Sequence, residues 1–518
     1  MLKWPFIAFC IVLCVFSNHS FSAENSITFN VASIDKVSSA DSLFFLLPVP
    51  NQRIAFNSEF FLREKNQSIK ANYRVINAWP TTKNERFTRL LSIEVSALQV
   101  SAKPRTLKKL TLSWVDADKE LPFQGGNAIG SVKSQLVYPS KSWLVQSLLL
   151  HPGQTVESDW YTEPQKKYAH YVTNQALLTK KGYPRDKTSQ WLYDRPQALY
   201  QLFLMTEQQT WLTSANELAD FYIKNIDEKG LFVLKKSFDP KLLMPKGVLY
   251  RYLLSGDFTA KQALHRMFER SFDWDESYSL GRGFWTERNQ AAALNVAVSY
   301  WELTGDETAL KRINNIIDAT VTMTFNPVND WPLRGCPQHS FKSHEGWGDD
   351  SPACSPWMMA LLGDALWRFY QLTGDKRAAS LIDAFGDFVL NHGIYYGDKR
   401  VRNIVIPKYI VSMENPKQEE LNQWTDPQHV CDVAALLGKS AYIKQQSKQD
   451  DFMVKTLFSA LLEQCAQSYA KWQQEQKKQQ AKEYWEIRPP RRFGWMYSTT
   501  SDLPWLAHLM LGSHWRGY

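Results

Sequence analysis

Leu254-Ser255-Gly256-Asp257, Leu303-Thr304-Gly305-Asp306 and Leu372-Thr373-Gly374-Asp375 are three copies of one signal. Each closes one apolar helical stretch and opens another. Glycine suits the left-handed residue just past a helix C-terminus, and aspartate suits the N-cap of the helix that follows. Met205-Thr206-Glu207 is a fourth, degenerate copy. The turns fall 50 residues apart from Glu207 to Asp257, 49 from Asp257 to Asp306 and 69 from Asp306 to Asp375. Helical hairpins repeated at this period predict a solenoid or a closed toroid.

Working outward, the 3.6-residue period pairs 196–206 with 211–223, 246–254 with 260–270, 291–303 with 307–320, 356–372 with 376–391, and 431–446 with 451–472. Ser355 is the expected N-cap of the seventh of these helices. A last helix, 503–511, would belong to a sixth hairpin. Residues 473–482 read as a solvated helical extension. Six hairpins in the C-terminal part favour a closed (α/α)6-type toroid over an open solenoid. Upstream, 26–31, 42–47, 71–76 and 107–115 are rich in Val, Ile, Phe and Leu and are broken by Asn, Pro, Asp and Gly. The expected fold is multidomain α+β: a signal peptide at 1–23, an all-β sandwich or small barrel at 24–150, and the helical toroid at 151–518.

The first 23 residues have a short basic start, an apolar stretch from Trp4 to Phe16 and a small polar end, the pattern of a secretory signal peptide cleaved after Ser22 or Ala23. The apolar stretch is too short to span a bilayer. Cys10 and Cys14 each follow a bulky residue, which argues against a lipoprotein site. An exported setting, periplasmic or extracellular, permits disulfides among Cys336, Cys354, Cys431 and Cys465. Four cysteines allow three pairings. Cys336 with Cys354 is favoured because both flank one loop rich in Gly, Pro and Ser, and buried free thiols are the alternative. The formal charge of +8 suits an acidic partner, but there is no basic stripe or motif for nucleic acid. No cofactor or metal is expected. His344-Glu345 lacks the second histidine of a helical zinc motif, and no nucleotide fingerprint or calcium loop occurs.

In a hairpin toroid the short turns lie at one end and the longer connections at the other. The longer connections here carry the unusual residues: Trp191, Tyr193, Asp194 and Arg195; Trp285, Glu287, Arg288, Asn289 and Gln290; His344, Trp347, Asp349 and Asp350; Trp424 and His429; Arg492, Trp495 and Tyr497. Each set precedes the first helix of a hairpin, so all should converge on one rim. Taken singly, Asp194 reads as a helix cap and a lone histidine as structural. Five such sets at one topological position read as a cleft for a polysaccharide or oligosaccharide. The 20 tryptophans and 22 tyrosines mostly serve core packing but include rings that can stack on sugars.

This architecture resembles the six-hairpin toroid carbohydrate-active enzymes, both glycoside hydrolases and polysaccharide lyases. Leu47-Pro48-Val49-Pro50, the segment from Phe60 to Trp79-Pro80 and that from Arg89 to Val95 are similar to the β-domain that opens exo-acting rhamnogalacturonan lyase-like proteins. The resemblance implies the fold and the substrate class and assigns no catalytic residue. Elimination on an acidic, uronate-containing polysaccharide needs a cation at the carboxylate, a base and an acid. Arg288, Asn289, Gln290 or Arg492 suit the first role, and His344, His429, Tyr193 or Tyr497 the others. Hydrolysis needs paired carboxyls, of which Glu287 with Asp349 or Asp350 is the best pair; adjacent aspartates pointing inward would raise one pKa. A non-catalytic glycan-binding protein would have the aromatics without the acid/base pair. Elimination ranks first, on the basic balance, the arginines of the rim and the order of β-domain and toroid.

Overall fold

The computed structural model describes residues 25–33, 42–80, 86–96, 107–116, 133–151, 160–163, 194–233, 243–274, 286–327, 331, 333–345, 348–397, 405–412, 426–478, 499–512 and 515. The expected signal segment lies outside them. The chain is a mixture of helix and mainly antiparallel sheet. Among the described residues, no helix is long and apolar enough to cross a membrane.

Eight strands come first: β1 (Ser26–Ser33), β2 (Ser42–Pro48), β3 (Ser58–Glu64), β4 (Gln67–Ile69), β5 (Ala71–Ala78), β6 (Thr88–Ser96), β7 (Lys108–Asp116) and β8 (Lys133–Tyr138). They form a single sheet in the order β4-β3-β7-β1-β8-β2-β6-β5, antiparallel except where β8 runs parallel to β2. The sheet curls on itself, so that Phe60 beside one edge stacks on Tyr73 of the opposite edge at 5.0 Å. Alternation decides the faces. Ile27, Phe29, Val31, Leu43, Phe45, Leu47, Leu91, Ile93 and Val95 fill the inside of the curl. Phe44, Leu46, Ile76 and Leu90 point the other way and join the helical core.

After the short α1 (Lys141–Gln146) come four helical hairpins: α2 (Arg195–Thr206) with α3 (Gln209–Lys224), α4 (Pro245–Ser255) with α5 (Phe258–Ser271), α6 (Glu287–Thr304) with α7 (Glu307–Phe325), and α9 (Pro356–Thr373) with α10 (Lys376–His392). The short α8 (Phe341–Glu345) lies between the last two. A fifth hairpin, α11 (Asp426–Gln446) with α12 (Phe452–Lys478), and the single α13 (Leu503–Leu511) complete the set. The first helices of the hairpins pack in sequence, α2 on α4, α4 on α6, α6 on α9, α9 on α11, and α11 on α13. The second helices lie outside them. The contrast shows in burial. On α9 every residue from Pro356 to Trp367 is buried, whereas α10 buries one stripe, Ala378, Leu381, Ile382, Phe385, Phe388 and Val389.

The Gly-Asp turns form as read. Gly256, Gly305 and Gly374 take φ of 70°, 67° and 71°, and Asp257, Asp306 and Asp375 cap the next helix through their side chains. In the degenerate copy Glu207 itself occupies the left-handed position, with φ 58°. Two boundaries correct the sequence reading. Helix α6 begins at Glu287, so the segment 287–290 is helix and not loop, and α11 begins at Asp426, so His429 lies in its first turn. Ser355 does stand at the N-cap of α9, but its hydroxyl donates to Tyr409 O instead of capping. Both the Cys336–Cys354 disulfide and a second, Cys431–Cys465, are formed.

Two buried polar networks join these parts. In the first, Glu302 of α6 lies between Arg89 of the sheet and Arg368 of α9, with Arg368 Nε 3.0 Å from its carboxylate. Asn77 adds a hydrogen bond to Leu303 O at 2.7 Å. In the second, Lys246 Nζ of α4 meets Asp364 Oδ2 of α9 at 2.5 Å, spanning the ring between hairpins that are not neighbours. Lys439 of α11 reaches the other Asp364 oxygen at 3.2 Å. His151 contacts Asp502, the N-cap of α13, at 3.4 Å and Gln197 of α2 at 3.4 Å, so it bridges the two ends of the helix series.

These features make two predictions. Glu207 is exposed, and replacing it with glycine removes a left-handed non-glycine residue. Urea denaturation of Glu207→Gly should show stability unchanged or raised by up to about 1 kcal/mol. Burial opposes ionisation of Glu302, but Arg368 and Arg89 hold its carboxyl down at about 2, against an ordinary 4.5. Its folded-state value is the lower one, so its contribution is present above pH 4.5 and is lost as the pH falls toward 2. Glu302→Gln should cost about 3–5 kcal/mol at neutral pH, because two arginines are left buried with half their partner. The same variant should flatten the acid limb of a stability–pH curve.

Candidate active site

The N-terminal ends of the inner helices form one rim, and a group of rings and charges gathers there. A three-stranded sheet shapes it: β9 (His339–Ser340) pairs with β10 (Pro352–Cys354), which pairs with β11 (Val411–Ser412). The pairing sets Ala353 against His339 on one side and Ser412 on the other. The Cys336–Cys354 bridge closes the loop that carries β9, α8 and β10, and constraint of the unfolded chain by such a loop is worth about 3 kcal/mol. The described residues of 336–345, 348–354 and 405–412 are thereby fixed over the start of α9.

Glu287 is fully buried. One of its oxygens accepts from Ser355 N at 3.0 Å and the other lies 2.8 Å from His339 Nδ1. His344 is 8% exposed, and among the described residues neither of its ring nitrogens has a hydrogen-bond partner. Its ring lies 4.7 Å from Tyr409, 5.6 Å from His339 and 6.0 Å from Trp357. Burial foremost, then the neighbouring His339 and Arg288, holds His344 well below the ordinary histidine range, so it is a neutral imidazole at pH 7. Trp357 stacks on His429 at 4.6 Å and 15°, and Arg288 Cζ lies 6.0 Å from the same indole. His429 Nδ1 is 3.1 Å from Asp432 Oδ2, and Thr499 donates to the other Asp432 oxygen at 3.2 Å. Tyr409 is half-buried, and its ring lies 6.3 Å from that of His429.

Of the residues singled out from sequence, the structure thus brings Glu287, Arg288, His344 and His429 together. Asn289 is used by the backbone: its carboxamide oxygen accepts from Thr286 N and Oγ in a capping box. Gln290 and Arg195 are fully buried in the first turns of α6 and α2. Asp194 is a cap twice over. It takes φ 65°, caps α2 through Gln197 N, and accepts from Lys246 N at 2.7 Å and Gly247 N at 2.8 Å, so one carboxylate serves two helix N-termini. Burial pushes it up to about 7, against the pull of those N–H groups and of Lys246.

Asp349 and Asp350 are the expected carboxyl partners of Glu287. Both aspartates are exposed and brace the loop, Asp349 accepting from Ser351 N and Asp350 from Ser340 Oγ. The hydrogen bonds from Ser351 lower Asp349 instead of raising it. Trp191, Tyr193, Trp285, Trp347, Trp424, Arg492, Trp495 and Tyr497 lie outside the described residues. Sequence reasoning missed His339, Trp357, Tyr409 and Asp432. The first two flank or open the insert already chosen, and Asp432 falls three residues after His429, a helical spacing that places both on one face. Tyr409 carries no local signal, because its place depends on the pairing of β10 with β11.

Among the described residues, no group of three or more His, Cys, Asp and Glu is arranged to hold a metal. An enclosed space among the inner helices is lined by His151, Lys246, Tyr250, Glu302, Asp364 and Arg368, and the two buried networks fill its walls.

No protein-family model matches the chain, and no curated protein does. Among solved structures it is similar to an unsaturated glucuronyl hydrolase specific for heparin, at 12% identity and a TM-score of 0.43, over 68% of this chain and 98% of that one. It is similar to a family 105 glycoside hydrolase of C. acetobutylicum at 13% identity and a TM-score of 0.40, over 65% and 99%. A polysaccharide lyase is similar at 10% identity and a TM-score of 0.40, over 66% and 98%.

The cap assignment of Asp194 has a direct test. Asp194→Ala removes acceptors from two helix starts and should lower unfolding free energy by about 2–4 kcal/mol, read by urea denaturation. A variant with unchanged stability would remove Asp194 from the scaffold.

Proposed function

We propose that this chain is an exported enzyme that cleaves a uronate-containing acidic polysaccharide by β-elimination. The observation that carries the reading is the buried, neutral imidazole of His344 packed on the ring of Tyr409, with Arg288 close by. A neutral imidazole is a base, and a phenol is an acid. The positive charge of Arg288 suits a substrate carboxylate, whose neutralisation acidifies the adjacent C–H.

The reaction then balances as follows. His344 takes the proton from the carbon beside the carboxylate. The freed electron pair forms a double bond to the next carbon, the bond from that carbon to the glycosidic oxygen breaks, and the oxygen takes the proton of Tyr409. The His344 imidazolium returns its proton to the Tyr409 phenolate, which the short distance between the rings favours. Ser355 supports the arrangement by donating to Tyr409 O at 2.6 Å.

Hydrolysis is disfavoured by the state of the buried rim carboxylates. Glu287 accepts from Ser355 N and lies 2.8 Å from His339 Nδ1, Asp432 is held by His429 and Thr499, and Asp194 by three backbone N–H groups. The test is a screen of the purified protein against acidic and neutral polysaccharides, read by ultraviolet absorbance of new unsaturated ends and by reducing ends. Both should rise together on a uronate polymer. Reducing ends without absorbance would make it a hydrolase, and silence with retained binding a glycan-binding protein. His344→Ala and Tyr409→Phe should each lower kcat by about 100-fold or more while melting like the unaltered chain. Full turnover in both would move the site elsewhere.

A further inference from the structure

We propose that a cleft along the outer helix α5, remote from the rim, is a second binding site that holds an acidic sugar of the substrate chain through Arg266. That this sugar belongs to the polymer being cleaved rests on the elimination reading above; that the cleft takes an anionic sugar does not.

The cleft has a volume of about 380 Å³, within the range of small-ligand sites. One wall is a single face of α5, where Phe258, Gln262, His265 and Arg266 recur at helical spacing. Glu228, from the loop after α3, and Tyr300 of α6 complete it. Phe258 is half-buried and offers a ring to the apolar face of a sugar. Gln262 and Glu228 are exposed and suit hydroxyl groups. His265 Nδ1 lies 2.9 Å from Tyr300 Oη, which leaves Nε2 for another hydroxyl. Tyr300 is fixed in turn by stacking on Phe268 at 4.7 Å.

Arg266 decides the class of ligand. It is half-buried, its Nε is buried without a hydrogen-bond partner, and among the described residues it makes no ion pair. Other arginines of the hairpins are matched: Arg251 pairs with Asp220 and Asp257, and Arg377 with Asp318 and Asp375. A guanidinium partly withdrawn from water without a counter-charge favours an anion, and its planar fork fits a carboxylate through two parallel hydrogen bonds. Lys261 lines the same wall, where burial lowers its ammonium from the ordinary value, so water is partly excluded there.

The cleft stands away from the cleavage point. Tyr300 follows Glu287 by 13 residues of α6, which is about 20 Å along the helix axis. A short oligosaccharide fills one site or the other. A long chain can hold both, and its second contact then forms at a high effective concentration.

Two measurements on the full-length protein decide this. The first follows the His265 ring resonances by NMR during titration with galacturonate and with galactose, single sugars that present no bond to cleave. His265 lies in the cleft, so binding at the rim does not report there. Galacturonate should shift the signals to saturation, with affinity at least about tenfold weaker in Arg266→Gln and partly kept in Arg266→Lys, whereas galactose should bind as weakly to all three. No shift, or equal affinity for acid and neutral sugar, overturns the proposal whatever reaction the enzyme performs. The second compares long polygalacturonate with a galacturonate trimer as substrates. Arg266→Gln should raise KM on the polymer by about tenfold and leave kcat and KM on the trimer unchanged. Equal KM values on the polymer overturn the role in holding the chain. Unsaturated products without an Arg266-dependent shift defeat this proposal alone. A shift without unsaturated products leaves the cleft standing and defeats the elimination reading.

Discussion

The contact between Lys246 and Asp364 holds the centre of this molecule. It runs between hairpins that are not neighbours in the helix series, and both ends are anchored further. Lys246 gives its backbone N–H to Asp194, which caps two helices, and Asp364 takes a second lysine, Lys439. Burial works against the charge on Asp364, but Lys246 and Lys439 hold its carboxyl well below the usual carboxylate range. A buried ion pair is a weak source of net stability, yet leaving one partner alone is costly. Its physical effect is to specify one arrangement of the inner helices. The position of every first-turn residue on the rim depends on that arrangement.

The rim uses its charges in two ways. Carboxylates deeper in the ring pair with cations and carry the fold, as in Glu302 with Arg89 and Arg368. Histidines and aromatics at the helix starts pack on one another. Of the buried imidazoles here, His344 has no carboxylate within hydrogen-bond distance among the described residues, whereas His429 lies 3.1 Å from Asp432.

Much of this was legible in the chain. The Gly-Asp turns announced the hairpins, because a left-handed C-terminal residue and an N-cap are local requirements that the residues themselves satisfy. The convergence of Glu287, Arg288, His344 and His429 followed from the hairpin order, since each precedes or opens an inner helix. What was not legible depended on pairing between distant segments. Tyr409 arrives through a two-residue strand contact, and whether Asp194 and Asn289 act as caps or as ligands is settled by neighbours 53 residues and 3 residues away respectively. The adjacent Asp349 and Asp350 looked like a coupled pair, but serine donors nearby take each of them separately.

The central claim is that bond cleavage proceeds by elimination from a neutral His344. Mass spectrometry of products formed in water enriched in heavy oxygen tests it most directly. Elimination predicts new non-reducing ends lighter than intact residues by one water, with no heavy oxygen incorporated in the cleavage step. Products of full mass that carry one heavy oxygen per cleavage would contradict it and assign the rim to hydrolysis.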